Sequence, residues 1–165
     1  IDAEVNLTTE CMVAASKHDG LSVIEVLVNC MIFNNGTHKA FAGDKEVRAE
    51  HTITLRQGEK MLFGKNMDKG LMLDNMKLKV VTVGENGVTL DGILVHDAHE
   101  KDTMVHVMLA SMKYPDFPVA LGIIRDVAEP TYEREVARQI AEVQATAKIK
   151  NVDDLLNSGE TWEVE

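Results

Sequence analysis

Hydrophobic positions recur along this chain with distinct spacings, and each spacing predicts an element. Over residues 5–17, Leu7, Cys11, Ala14 and Ala15 fall at i, i+4, i+7 and i+8. That is one face of a helix, and Gly20 supplies its stop. Residues 21–33 hold one charge, Glu25, in thirteen positions. The run starts after the turn signal His18, Asp19, Gly20 and ends at Asn34, Asn35, Gly36. A β-branched run bounded by turn residues predicts a strand over 21–29, buried on both faces as parallel strands are. Residues 34–58 are polar and turn-rich. His51 to Leu55 alternate like a brief strand, and Lys77 to Val83 read as another. Asn86-Gly87 is a hairpin signal before Val88 to Leu90. Residues 50–95 thus predict a small β-rich excursion.

The second half returns to helix and buried strand. Asp102 can cap a helix over 103–112, with Val105, Met108, Leu109 and Met112 as its apolar stripe. Val119 to Ile124 predict a second apolar strand. Pro130 suits the first turn of a long helix. Tyr132, Val136, Ile140, Val143 and Ala147 share one face of that helix, an amphipathic pattern meant to pack. The tail from Asp153 to Glu165 is acidic, with Leu155, Leu156 and Trp162 as anchors. The fold class expected is α/β. Residues 1–33 and 96–147 supply the core elements, 34–95 the β-rich insertion and 148–165 the C-terminal tail.

Composition narrows the partners. The 165 residues suit one domain with a real core. Nine methionines against 4% aromatics imply aliphatic and Met packing. A net charge of −10 argues against nucleic acid or anionic membrane as a main partner. No apolar run reaches the about 18 residues of a membrane span. Two cysteines, Cys11 and Cys30, without repeat spacing suit a reducing cytoplasm. Ile1 in place of an initiator Met leads us to expect a piece of a longer chain.

Three features invite chemistry. Cys30 ends the apolar run, where ligands gather in open α/β sheets. Its thiolate could hold a metal or cluster, or it could pack as a small hydrophobe. His96 and His99, with Asp97 and Glu100, could bind a metal, though helical pairs prefer i, i+4 and no third ligand is evident. A solvated turn is the other reading. Glu25 must be paired or neutral if buried, or it faces a gap near the strand edge. No P-loop, dinucleotide fingerprint or nucleophile elbow is present. These residues alone name no reaction.

The order of several short motifs does. Lys17-His18-Asp19-Gly20, the apolar strand, and Asn29-Cys30-Met31-Ile32-Phe33-Asn34 resemble the β subunit of 2-oxoacid:ferredoxin oxidoreductases. The resemblance continues through Phe63-Gly64-Lys65-Asn66 with Asp68-Lys69-Gly70, and through Leu94-Val95-His96-Asp97. It extends to Phe117-Pro118-Val119-Ala120-Leu121-Gly122 and to Leu155 through Trp162. It implies a thiamine-diphosphate-binding type of parallel-sheet domain. It also implies oxidative decarboxylation of a 2-oxoacid, such as 2-oxoglutarate or pyruvate, with thiamine diphosphate and Mg²⁺. The product is an acyl-CoA formed from coenzyme A, and electrons leave through a [4Fe–4S] cluster to ferredoxin. Partners implied are an α subunit and ferredoxin.

In that family the cysteine at this strand end is the remote fourth ligand of the cluster, which puts the role on Cys30. Cys11 matches no family ligand. The other cluster cysteines and the Gly-Asp-Gly diphosphate motif are absent from this chain. The resemblance therefore implies the C-terminal half of the subunit, inactive in isolation and without cofactors of its own. No catalytic residue is expected in it. The usual Gln two residues before the Cys is Val28 here. The alternative is a non-catalytic binding or assembly module that has lost the cofactor sites. Residues 56–79 carry six bases against three acids, a local +3 in an acidic chain. They are the candidate contact for an acidic ferredoxin, or else a solvated β-ribbon.

Overall fold

The computed structural model describes residues 1–160 and 162. They divide into two units, residues 1–128 and 129–165. The first is a mixed α/β unit. Helix α1, Val5–Lys17, spans the expected segment. Two short helices follow, α2, Lys39–Ala42, and α3, Lys45–His51. The Asp44 side chain accepts from the backbone N–H of Glu46 and Val47, both at 3.0 Å, and so starts α3. Helix α3 runs directly into β1, Thr52–Leu55. Thr52 Oγ1 donates back to the Arg48 carbonyl at 2.8 Å, which closes the last helical turn as the strand begins.

Strand β2, Leu62–Phe63, β3, Lys69–Asp74, and β4, Lys77–Thr82, form an antiparallel sheet in that order. The β3–β4 turn is tight, with Asn75 and Met76 both at positive φ. Such turns match the twist of the flanking strands. Helix α4, Met104–Ala110, precedes β5, Val119–Gly122. Strand β5 pairs parallel with β1, Thr52 opposite Val119 and Leu55 opposite Gly122. Gly122 has φ +103°, and a Cβ there would lie 2.6 Å from the Leu55 carbonyl oxygen, so only glycine fits.

The core of this unit joins both sheets and α4. Ile53, Leu55, Met61, Phe63, Leu71 and Leu109 form its buried cluster, with Val105, Met112, Phe117 and Ile124 packed against it. Residues 94–96 stitch the sheets together. Leu94 donates to the Leu71 carbonyl at 2.9 Å, and Met61 donates to the Leu94 carbonyl at 2.8 Å. Gly70 allows close passage here, since a Cβ would sit 2.7 Å from Ile93 Cδ1.

The strand expected over 21–29 does not form. Residues 21–29 adopt no regular secondary structure and join no ladder. Leu21 is 87% exposed and Phe33 90%. A strand is stable only beside a neighbour that takes its backbone groups. The parallel pairing goes to β1 and β5 instead, and no described strand flanks 21–29. What holds the segment is Asp2, whose N–H donates to the Leu27 carbonyl at 3.1 Å and whose carboxylate accepts from the Asn29 N–H at 3.0 Å. Glu25 is exposed accordingly.

Other differences are smaller. Residues 34–58 contain two helices rather than turns alone. The segment 50–95 does hold three antiparallel strands, but its first strand belongs to the parallel pair. The Asn86-Gly87 turn forms, with Gly84 donating to the Val88 carbonyl at 2.9 Å. Beyond it the chain enters a single 3-10 turn, Leu90–Gly92, instead of a strand.

The second unit is helical. Helix α5, Tyr132–Thr146, is capped by Thr131, whose hydroxyl accepts from the Arg134 N–H at 3.4 Å. Pro130 precedes that cap rather than sitting in the first turn. Arg138 bridges Glu135 and Glu142 at 2.6 and 2.7 Å along the helix. The apolar stripe is present, yet Tyr132, Ile140 and Val143 are exposed. Helix α6, Val152–Leu156, is capped by Asn151. Of the motif from Leu155 to Trp162, Thr161 lies outside the described residues, as do residues 163–165 of the tail. Among the described residues no helix is long and apolar enough to cross a membrane.

Candidate functional site

Cys30 sits at the first position of a built turn. Its carbonyl accepts from the Asn34 N–H at 3.0 Å. Asn29 braces the turn from outside: its Oδ1 accepts from the Gly36 N–H at 2.8 Å and its Nδ2 donates to Asn35 Oδ1 at 3.1 Å. Asn34 Nδ2 donates to Thr37 Oγ1 at 2.9 Å. The nearby backbone N–H groups, Phe33 first and then Ile32, lower the Cys30 thiol's pKa below the usual cysteine range. The side chain is partly exposed. A partly exposed thiolate stabilised by peptide N–H donors is the form a metal or cluster ligand needs.

Cys11 is the opposite case. It lies on α1, where burial first, and then the charge of Glu10, raise its pKa. The structure does not bring the two cysteines together as a ligand pair. Among the described residues no group of three or more His, Cys, Asp or Glu converges on one point.

Sequence spacing missed a second locus, at the carboxyl ends of β1 and β5. A cleft of about 190 Å³ opens there, lined among others by Cys11, Leu55, Arg56, Gln57, Gly122 and Ile123. Arg56 pairs loosely with Glu10 at 3.5 Å. The signal in the sequence was only that two apolar stretches each end in a polar residue, and a parallel pairing had to be known to join them.

His96 and His99 border this region, and they are not metal ligands in this arrangement. His96 is 1% exposed, so the solvated-turn reading is corrected. Its Nε2 meets the Ile123 carbonyl at 2.8 Å, and His99 Nδ1 meets the Asp126 carbonyl at 2.6 Å. Asp97 turns away to accept from Gln57 Nε2 at 2.8 Å and the His99 N–H at 3.0 Å. These two bonds, Gln57 first, hold its carboxyl below the usual range. The loop is a structural tie.

The basic stretch 56–79 is largely neutralised by acids, most of them outside it. Lys65 pairs with Glu46 at 3.0 Å, Lys69 pairs with Glu50, and Lys79 pairs with Asp74 at 2.5 Å. Lys60 Nζ donates to the Leu90 carbonyl at 2.6 Å. This pairing favours the solvated ribbon over a docking patch.

No model of a known protein family matches the chain, and no solved structure does. A curated relative does: the chain is similar to the 2-oxoglutarate oxidoreductase subunit KorB of Mycobacterium tuberculosis, 30% identical over 168 aligned positions. The similarity takes in all of this chain and 44% of the relative, so the chain spans less than half the length of the protein it matches.

Proposed function

We propose that this chain is the C-terminal half of the β subunit of a 2-oxoacid:ferredoxin oxidoreductase. The observation that carries the reading is the similarity, over the whole of this chain, to KorB, a 2-oxoglutarate oxidoreductase subunit. It agrees with the order of motifs from Lys17 to Trp162. In this reading the enzyme decarboxylates a 2-oxoacid oxidatively to an acyl-CoA in the cytoplasm and passes electrons to ferredoxin. An α subunit completes it. Thiamine diphosphate with Mg²⁺ supplies the decarboxylation chemistry when bound, and a [4Fe–4S] cluster carries the electrons. The residues for the diphosphate and for three cluster thiolates belong to the rest of the subunit.

Within this chain the role falls on Cys30, as the fourth cluster ligand. Its turn supports that assignment in two ways. The sulfur is accessible, and peptide N–H groups from Ile32 to Asn34 favour the thiolate. Such hydrogen bonds also help to set cluster potentials. Cys11 plays no part, because burial favours its neutral thiol. The exposed residues 21–33 fit the same reading, since strands and helices from the rest of the subunit would cover them.

The test is iron content and visible cluster absorbance of the assembled oxidoreductase carrying Cys30→Ala. The reading expects iron and ferredoxin reduction to fall together, with Cys11→Ala retaining both. Unchanged iron in Cys30→Ala removes the ligand assignment.

A further inference from the structure

Two histidines are buried within the same loop tie, and neither has room for a second proton. His96 is 1% exposed and His106, on α4, 4%. Their rings meet edge to face with centroids 6.5 Å apart. Each is held by a partner that sets its tautomer. The Ile123 carbonyl at 2.8 Å can only accept, so His96 carries its proton on Nε2. His96 Nδ1 is then a lone pair, buried and without any partner. His106 Nε2 donates to the Asp97 carbonyl at 2.8 Å, and its Nδ1 faces the Arg125 guanidinium at 3.2 Å, which can only donate. A proton on His96 Nδ1 finds no acceptor. A proton on His106 Nδ1 finds another N–H and a full positive charge.

We propose that His96 and His106 form a pH-sensitive clamp: with both rings neutral they bind residues 96–101 to the chain beyond β5 and to α4, and protonation of the buried His96 opens that loop. The two rings share the loop with other ties. The His96 N–H donates to the Glu59 carbonyl at 2.9 Å and the Gly58 N–H to the His96 carbonyl at 2.8 Å. Gln57 holds Asp97 and the Ala98 N–H at 2.8 and 2.7 Å, His99 Nδ1 meets the Asp126 carbonyl, the Asp126 N–H donates to the Ala98 carbonyl at 2.8 Å, and Arg125 donates to the Glu100 carbonyl at 2.9 Å. The two rings are the titratable ties that are buried. Opening it would move Ala98 and His99, which line the cleft at the carboxyl ends of β1 and β5.

The charged groups around the pair leave it little help in acid. Arg125 and His99 oppose a positive ring, as each histidine opposes the other. Asp97 favours one, but its carboxylate is engaged by Gln57 and the His99 N–H. Glu59, Glu100 and Lys101 meet the group through backbone carbonyls only. Burial, the largest influence, keeps His96 below the usual imidazole range, and the Ile123 hydrogen bond offsets this in part. His18 Nδ1 meets the Asp126 carboxylate at 2.8 Å nearby. The sign follows: a histidine with a depressed pKa contributes stability in full above about pH 6.5 and loses it as pH falls through the folded value.

The test is amide exchange in the full 165-residue chain, corrected for intrinsic rates. From about pH 7.5 to about pH 5.5, protection at the His96 and Asp126 amides should fall by up to about tenfold, the limit for one fully suppressed proton over one pH unit below 6.5. The Leu71 amide, bonded to the Met61 carbonyl at 3.0 Å in the sheet, should hold. In His96→Gln with His106→Gln, each amide nitrogen replaces Nε2 and cannot titrate, so the fall should vanish. His18→Gln should leave it in place. Retention of the fall in the double variant overturns the clamp. Should that variant not fold, a long-range ¹H–¹⁵N spectrum of the unmodified chain decides. The clamp requires both rings as Nε2–H tautomers at neutral pH, with His96 titrating below about 6.5. A His96 that titrates at or above that value overturns it.

Discussion

The apolar run 21–33 and the core strand pair β1–β5 look alike as sequence and behave oppositely in the structure. Both are apolar stretches that the sequence offers as buried strands. Ile53 in β1 is fully buried, whereas Leu21, Val23, Ile32 and Phe33 stand in solvent. The difference lies in partners. Strand β1 has β5 on its backbone edge and β2, β3 and α4 against its side chains. Residues 21–29 have Asp2 and little else. An apolar pattern states that a segment needs cover, and not that its own chain provides it. Exposed apolar patches of this kind mark interaction surfaces.

Truncating side chains tests this contrast most strongly. Leu109→Ala or Ile53→Ala should cost about 2–5 kcal/mol of unfolding free energy in denaturant titration, because each leaves a cavity among fixed neighbours. Ile32→Ala or Leu21→Ala should stay within about 0.5 kcal/mol. Comparable losses in both sets would mean that 21–33 is packed after all. Next comes Gly122→Ala, which meets the Leu55 carbonyl and adopts a disfavoured φ. It should cost about 1–3 kcal/mol, and a neutral result would place the β1–β5 register in doubt.

The two cysteines sharpen the comparison chemically. Peptide N–H groups lower the Cys30 pKa, and burial raises that of Cys11. At neutral pH Cys30 should alkylate about tenfold faster or more, read by mass spectrometry of quenched iodoacetamide reactions. Equal rates would remove the thiolate-stabilising turn. The smallest effect belongs to the surface pairs. Lys65→Ala, which breaks the contact with Glu46, should change stability by under about 1 kcal/mol, as exposed ion pairs do.

Much of the first unit was legible because local pattern and final environment agree. Helix α1, strands β1, β4 and β5, and helix α4 follow their periodicity, and α5 in the second unit does likewise. Strand β3 was hidden, since Gly70 interrupts its short apolar run. Gly70 is there because Ile93 presses on the backbone, a tertiary reason no local window contains. Helices α2 and α3 are too short for periodicity, and the Asp44 cap that starts α3 was not singled out. At the candidate site Cys30 was legible as a position. Its N–H donors depend on turn geometry and were not. His96 was visible as a motif with the wrong environment. His106 and Arg125 were invisible as partners, because the contact joins residues 19 positions apart through a fold.

The central claim is that residues 21–33 and the Cys30 turn are completed by the rest of an oxidoreductase subunit. Amide exchange across 21–33 tests it most directly, measured in the isolated 165-residue chain and in the assembled enzyme. The account predicts near-unprotected exchange over 21–29 in the isolated chain and strong protection after assembly. Equal exchange in the two, with 21–29 still open in the assembled enzyme, would contradict it.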